Sequence, residues 1–383
     1  MDSVLTSVSA QARGGPLRIC LGSDFNDGLK LYNGLCFEAC QAIASMGDTT
    51  VYAPEAAPRG PLWKAASLGE RALTGVHLPT ARRQTIPGRH DLFLYVCMQP
   101  MNLLYLNAMD GWRERSGKAA VFLFETWSAQ AKRSAPYLRL LDQFDHVFLF
   151  NPNSVKEVQR YTRAPCSYLP AGVDCLLATP YPRPVARPID VFGMGRTSEA
   201  VHEQLMQMAL RRELFYLWDH SPQPATSGFP GSRLRTYNVI RHSRLFLSFN
   251  FQTGAEKRKE SGGEEAIPAR VFEAAAGGAV MMGTAPRLAE FEALFPWPDA
   301  HFEIPMDPLN MKEFYHGLQR QPDVLRRAGI LNAAQSLRRH DWAYRWEEML
   351  RTLDLPIPSG VADRKAKLSA LADTAEADLT LVS

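Results

Sequence analysis

The sequence predicts an α/β protein built from two doubly wound parallel sheets that face each other across a cleft. Three observations lead there. Apolar strand-like runs alternate with helical periodicity along most of the 383 residues, the pattern of repeated βαβ units. The alternation stops once, at Pro180 to Pro188, where four of nine residues are proline, and then begins again. The length also exceeds what one hydrophobic core usually serves, roughly 250–300 residues. The expected layout is a disordered start over 1–16, a first domain over 17–180 and a proline-rich linker over 181–188. A second domain over 189–338, a helix over 339–352 and a polar tail over 353–383 follow.

The first element is the strand 17–23, which ends in a polar turn, Asp24 to Gly28. Leu31, Leu35, Ala39, Ala42 and Ile43 then recur with a helical period, Gly47 stops that helix, and 49–53 reads as the second strand. Residues 55–88 say little beyond a helix and loops. Apolar runs at 91–96, 119–124 and 146–150 are buried strands, with helical stretches near 101–113 and 132–142 between them. Tyr168 to Asp174 closes the first half as a strand and a Pro/Gly turn. In the second half, strands are expected at 189–193, 214–218 and 245–249, with helices near 199–211 and 233–242. Further helices fit 287–294, 308–318, 322–337 and the aromatic stretch 341–350.

Composition narrows the function. Hydrophobic residues make up 46% and charged residues 22%, and the net charge is +3, values of an ordinary globular protein. Residues 1–184 hold 19 basic and 15 acidic side chains and residues 185–383 hold 24 and 25, so neither half offers the basic field that nucleic acids require. The six cysteines (Cys20, Cys36, Cys40, Cys97, Cys166 and Cys175) show no C-x-x-C spacing, which fits free thiols in a reducing compartment rather than a metal site. No signal peptide or membrane span is evident. A cytoplasmic protein with at most peripheral membrane contact is expected.

The residues with most chemistry stand between Gly262 and Met282. A glycine-rich charged loop leads into a short helix through Pro268, and Gly277-Gly278 stops that helix before an apolar strand. Glu265 and Glu273 flank the helix start, and Arg270 lies three positions before Glu273, on the same face. Helix N-termini bind anions well, so this is a candidate site for one. In doubly wound sheets ligands sit beyond the carboxyl ends of the strands. That rule adds the Asp24–Gly28 turn, Gly195-Arg196 after the strand 189–193, and Glu125 after the strand 119–124. Glu125 suits a general base for an acceptor hydroxyl, or a cap for the next helix. Lys257, Arg258 and Lys259 are either a solvated run or reach a phosphate. No His, Cys or carboxylate cluster suggests a metal.

Four segments resemble the GT-B glycosyltransferases of the group with a Glu-x7-Glu motif, most closely the CgeB-like branch. Glu265 to Gly278 matches that motif, and Leu169-Pro170-Ala171-Gly172-Val173-Asp174 resembles the usual end of the first domain. Val191 to Arg196 is similar to the first strand and turn of the nucleotide-binding domain. Trp342 to Leu350 is similar to the helix that often crosses back onto the first domain. The family's Gly-Leu-Pro between the glutamates is replaced by Ile267-Pro268-Ala269, and its diphosphate-binding lysine has no clear counterpart.

The resemblance implies two Rossmann-like domains and a retaining transfer from a nucleotide-diphosphate sugar to an acceptor hydroxyl, with no cofactor and no metal. No Asp-x-Asp occurs, in keeping with the metal-free type. It further implies that Glu273 holds the donor ribose, that Glu265 lies near the transferred sugar, and that Arg270 and Arg196 face the diphosphate. Gly195, Gly28 and the amides up to Val271 complete the donor side. The acceptor is a small molecule or a glycan. A nucleotide-sugar epimerase of the same fold and a non-catalytic sugar-nucleotide-binding protein are the alternatives.

Overall fold

The computed structural model describes residues 16–26, 33–55, 60, 69, 81–219, 228–250, 259, 261–304 and 310–380. Six strands form the first sheet: β1 (Arg18–Ser23), β2 (Asp48–Tyr52), β3 (His90–Cys97), β4 (Ser116–Leu123), β5 (His146–Leu149) and β6 (Cys166–Tyr168). Their spatial order is β2-β1-β3-β4-β5-β6 and every pairing is parallel. The central strands carry continuous apolar runs rather than alternation; Leu92 through Cys97 are all 0% exposed. Helices therefore cover both faces, as expected for a parallel sheet.

The second sheet contains β7 (Ile189–Met194), β8 (Tyr216–Asp219), β9 (Ser243–Phe249), β10 (Val280–Thr284) and β11 (His301–Glu303), in the order β8-β7-β9-β10-β11. Both sheets thus grow outward in two directions from their first strand. The reversal falls between β1 and β3 in one and between β7 and β9 in the other, where such sheets open a ligand crevice.

On one face of the first sheet, Phe93, Trp112 and Phe144 pack beside α2 (Ser128–Leu138). The other face packs α1 (Asn33–Ala44), and its apolar cluster continues into Phe192, Phe246 and Phe272 of the second half. The second half adds α3 (Glu199–Leu210), α4 (Gly228–Arg241), α5 (Ala269–Ala276), α6 (Ala289–Leu294), α7 (Met311–Gln319) and α8 (Pro322–Arg339). Beyond these run α9 (Trp342–Thr352) and α10 (Ser359–Leu379).

The helix α9 packs on the first half. Trp342 is 1% exposed and sits edge-on to Phe122 and Phe124. A Cβ at Gly172 would lie 2.6 Å from its ring, so only glycine lets the chain pass there. Asp341 caps α9 through the amide of Ala343 (2.8 Å) and pairs with Arg364 of α10 (Nε–Oδ1 2.7 Å). Arg364 also reaches Asp174 at 2.7 Å.

Two segments differ from the sequence-based expectation. The helix expected near 101–113 is a 3-10 turn series, Pro100–Ala108. The expected polar tail is the 21-residue helix α10, whose buried side is small and spare: Val361, Leu368, Ala372 and Ala375. It packs along α8, where Arg338 pairs with Asp373 and Glu376. The start over 1–15 and most of 56–80 lie outside the described residues.

Candidate active site

The carboxyl ends of the two sheets carry the polar side chains. In the first half, the Ser23 hydroxyl donates to the Val96 carbonyl (2.7 Å), closing the end of β1 onto β3. Asp24 follows and is 1% exposed. Its charge adds to burial in pushing the neighbouring thiols of Cys36 and Cys97 far up, so these cysteines stay protonated. Gly28 lies outside the described residues, as do Lys257 and Arg258; Lys259 is exposed.

Glu125 stands exposed just past β4. Its amide donates to the Met98 carbonyl (2.6 Å), and Gln99 Nε2 donates to its carboxylate at 3.3 Å. Gln99 is fixed in turn by its own amide, which donates to Asn102 Oδ1 (3.0 Å). The ends of β3 and β4 therefore present one amide–carboxylate pair.

Across the cleft, β7 ends in Met194-Gly195-Arg196. Gly195 has φ of +71°, and a Cβ there would lie 2.9 Å from Arg270 Nη1. The positive φ favours glycine, and a side chain there would displace the guanidinium. Arg270, on the first turn of α5, lays its guanidinium over that glycine and donates to the carbonyls of Met194 (2.7 Å) and Arg196 (3.2 Å). Burial, then the like charge of Arg196, pushes Arg270 down to about 9, which leaves it cationic at neutral pH. Arg196 is lowered by burial as well, and Glu125 opposes the shift at both arginines. The carboxylate of one half thus acts on the two guanidinium groups of the other.

Glu265 lies where β9 and β10 end. Asn250 Nδ2 donates to its Oε1 (3.3 Å), and the Arg287 amide donates to Oε2. Its backbone carbonyl accepts from Asn153 Nδ2 of the first half (3.0 Å), while Glu264 Oε2 accepts the Ser128 amide at the head of α2 (3.1 Å). The loop 261–266 straps the cleft. Gly262 permits this with φ of +64°, since a Cβ there would lie 2.6 Å from Ala129 Cβ.

Two residues assigned to the donor side by resemblance are buried. Val271 is 0% exposed in the apolar core, and its amide donates to Pro268 O (3.0 Å), so it presents nothing to the cleft. Glu273 is 4% exposed and lies 2.5 Å from Arg233 Nη2, rather than pairing with Arg270. The helix turn carries it inward past the cleft wall. Arg270, Gly195 and Arg196 meet at the end of β7, Glu125 acts on both arginines, and Glu265 stands with Asn153 and Asn250. Sequence reading missed Gln99, Asn153, Asn250 and Arg233. Asn250 follows β9 directly and was accessible to the carboxyl-end rule; the others depend on tertiary approach. Among the described residues, no three His, Cys, Asp or Glu side chains gather as metal ligands.

Residues 199–351 match the family model described as glycosyl transferase-like. Among solved structures, Anabaena Alr3699/HepE in complex with UDP and glucose is similar at 12% identity, covering 88% of this chain and 99% of that one, with a TM-score of 0.52. An alpha-glucosyltransferase in complex with UDP-glucose and DNA containing an abasic site matches at 10% identity, with the same coverage of 88% and 99% and a TM-score of 0.52. The fold is that of the GT-B glycosyltransferases. No curated protein matches the sequence significantly. No helix among the described residues is long and apolar enough to cross a membrane.

Proposed function

We propose that the protein is a retaining, metal-independent glycosyltransferase of the Glu-x7-Glu group, nearest the CgeB-like branch. It moves a sugar from a nucleoside diphosphate to an acceptor hydroxyl. The observation that carries this reading is the Arg270 guanidinium, seated on Gly195 between two backbone carbonyls at the head of α5 and opposed by Glu125. A departing nucleoside diphosphate gains negative charge at its bridging oxygen. Arg270, Arg196 and the first-turn amides of α5 lie where that charge would develop, and no side chain caps those amides.

Glu265, held by Asn250 and the Arg287 amide, is the acceptor of hydrogen bonds from the transferred sugar. Glu125, oriented by Gln99, takes the acceptor hydroxyl. The bond from the anomeric carbon to phosphate breaks while the bond to the acceptor oxygen forms on the same face. The acceptor proton passes to a phosphate oxygen, with Glu125 drawing the hydroxyl into line. No covalent enzyme intermediate is needed. The similar structures hold UDP or UDP-glucose, which makes a uridine donor the first to test.

On the acceptor side, a cavity of about 710 Å³ lies beyond the ends of β1 and β2, lined by Phe25, Asn26, Gln41, Tyr52, Glu55 and Gln84. Its mixed amide and aromatic walls suit a polyhydroxylated acceptor, a small molecule or a glycan.

The test is nucleotide release from a panel of uridine, guanosine, adenosine and thymidine diphosphate sugars, with and without acceptors. Release that depends on acceptor, and that falls about a hundredfold in Arg270→Ala, supports transfer. Conversion of the donor without acceptor would indicate an epimerase. Tight binding with no turnover would indicate a binding protein.

A further inference from the structure

Behind the cleft, on the side where α1 meets α4 and α5, lies a buried group of charges. Arg233 of α4 lies 2.5 Å from Glu273 of α5 and 2.7 Å from Glu38 of α1, through Nη2 in both cases. Arg233 Nε also donates to Glu38 Oε2 (2.7 Å), and the Tyr237 hydroxyl donates to the same oxygen (2.7 Å). The other Glu38 oxygen accepts the Asp174 amide at 2.9 Å. Exposure is 5% for Glu38, 8% for Arg233, 4% for Glu273 and 0% for Tyr237. Phe25, Phe37 and Phe229, with ring centroids 5.4–6.1 Å apart, pack beside it from both halves. Gly34 makes room, since a Cβ there would lie 3.3 Å from Arg233 Cδ.

We propose that Arg233 is a positioning residue: it gathers Glu38 of the first half and Glu273 of the second onto one guanidinium, and so sets where α5 stands against the first half. Two buried carboxylates near one another repel unless a cation lies between them; the guanidinium holds Glu38 through Nε and Nη2 while Nη2 also faces Glu273. Removing either carboxylate relaxes the same joint, although the two belong to different halves. Glu273 stands three residues from Arg270 on an eight-residue helix, so movement of that helix moves Arg270 relative to Glu125. Catalysis loses rate steeply with such displacement. The consequence drawn for Arg270 rests on the glycosyltransferase reading; the lock itself does not.

The experiment compares wild type, Glu38→Gln, Glu273→Gln and the double variant, each near-isosteric. Binding of uridine, guanosine, adenosine and thymidine diphosphates is measured by calorimetry, turnover by nucleotide release, and folding by thermal unfolding. The lock expects both single variants to lose turnover by a similar factor, about tenfold. The double variant should be little worse than either single. Wild-type turnover and stability in Glu38→Gln would overturn the proposal. Additive losses in the double variant would overturn it too. Should wild type neither bind nor turn over, the function reading falls. The lock is then judged by unfolding alone, where non-additive shifts support it and additive shifts end it.

Discussion

The two halves touch on both sides of the cleft, and the two sides differ in one property. Behind the cleft the ionic contacts are buried: Glu38, Arg233 and Glu273 in one group, Asp341 and Arg364 in the next, with Asp174 joining them. In front, the contacts between the halves use similar groups but are only partly buried or exposed: Glu264 on the Ser128 amide and Asn153 on the Glu265 carbonyl. A buried carboxylate that loses its partner keeps its desolvation cost, whereas an exposed one regains water. The rear contacts fix geometry, and the front contacts can exchange with a ligand at little cost.

The largest effect should come from the rear. Asp341→Ala strips Arg364, 8% exposed, of its closest partner and removes the cap of α9. A loss of ~3–5 kcal/mol in denaturant unfolding is expected; a loss under about 1 kcal/mol would place this pair with ordinary surface pairs.

Arg270→Ala comes next, because the proposed function places it on the reaction rather than on folding. Turnover should fall about a hundredfold with unfolding nearly unchanged. An equal loss in both would make Arg270 a structural residue like Arg233.

The pH response sharpens the contrast further. His301 is held down to about 4, chiefly by burial, with a hydrogen bond to the Ser248 backbone opposing. Its folded value lies below the ordinary 6.5, so the unfolded chain takes up the proton first. The stabilisation is complete above about pH 6.5 and is lost as pH falls toward 4, at most ~3 kcal/mol. Titrating stability across that window in wild type and His301→Gln checks it; identical slopes would exclude His301 as the source.

The smallest effect belongs to the front strap. Glu264→Ala should cost under about 1 kcal/mol of stability. If it proves as destabilising as Asp341→Ala, the distinction between buried and exposed contacts collapses.

Much of the fold was readable along the chain. Strands such as 92–97 are apolar without interruption, and Gly195 and Asn250 sit at strand ends where ligand chemistry belongs. The helix α10 was not readable, because its buried side is made largely of alanine and its charges fill the rest. The ionic partner of Glu273 was not readable either. Sequence spacing offered Arg270 as its partner three residues away, but the partner is Arg233, forty residues earlier on another helix. Glu38 is a further 195 residues from Arg233, and no local pattern marks such a pair. Charges matched by tertiary approach leave no period to detect.

The return of α9 and α10 has a consequence for the covalent chain. The linker is exposed from Pro182 to Ala186, and it is not the sole connection between the halves. Trp342 sits under Gly172, and a Cβ on Gly360 would lie 2.5 Å from the Met46 carbonyl, so the last helices are fastened to the first half. Cutting the linker would therefore yield two polypeptides that remain one particle. The protein is a natural candidate for expression as two complementary fragments, with α9 and α10 as the clasp.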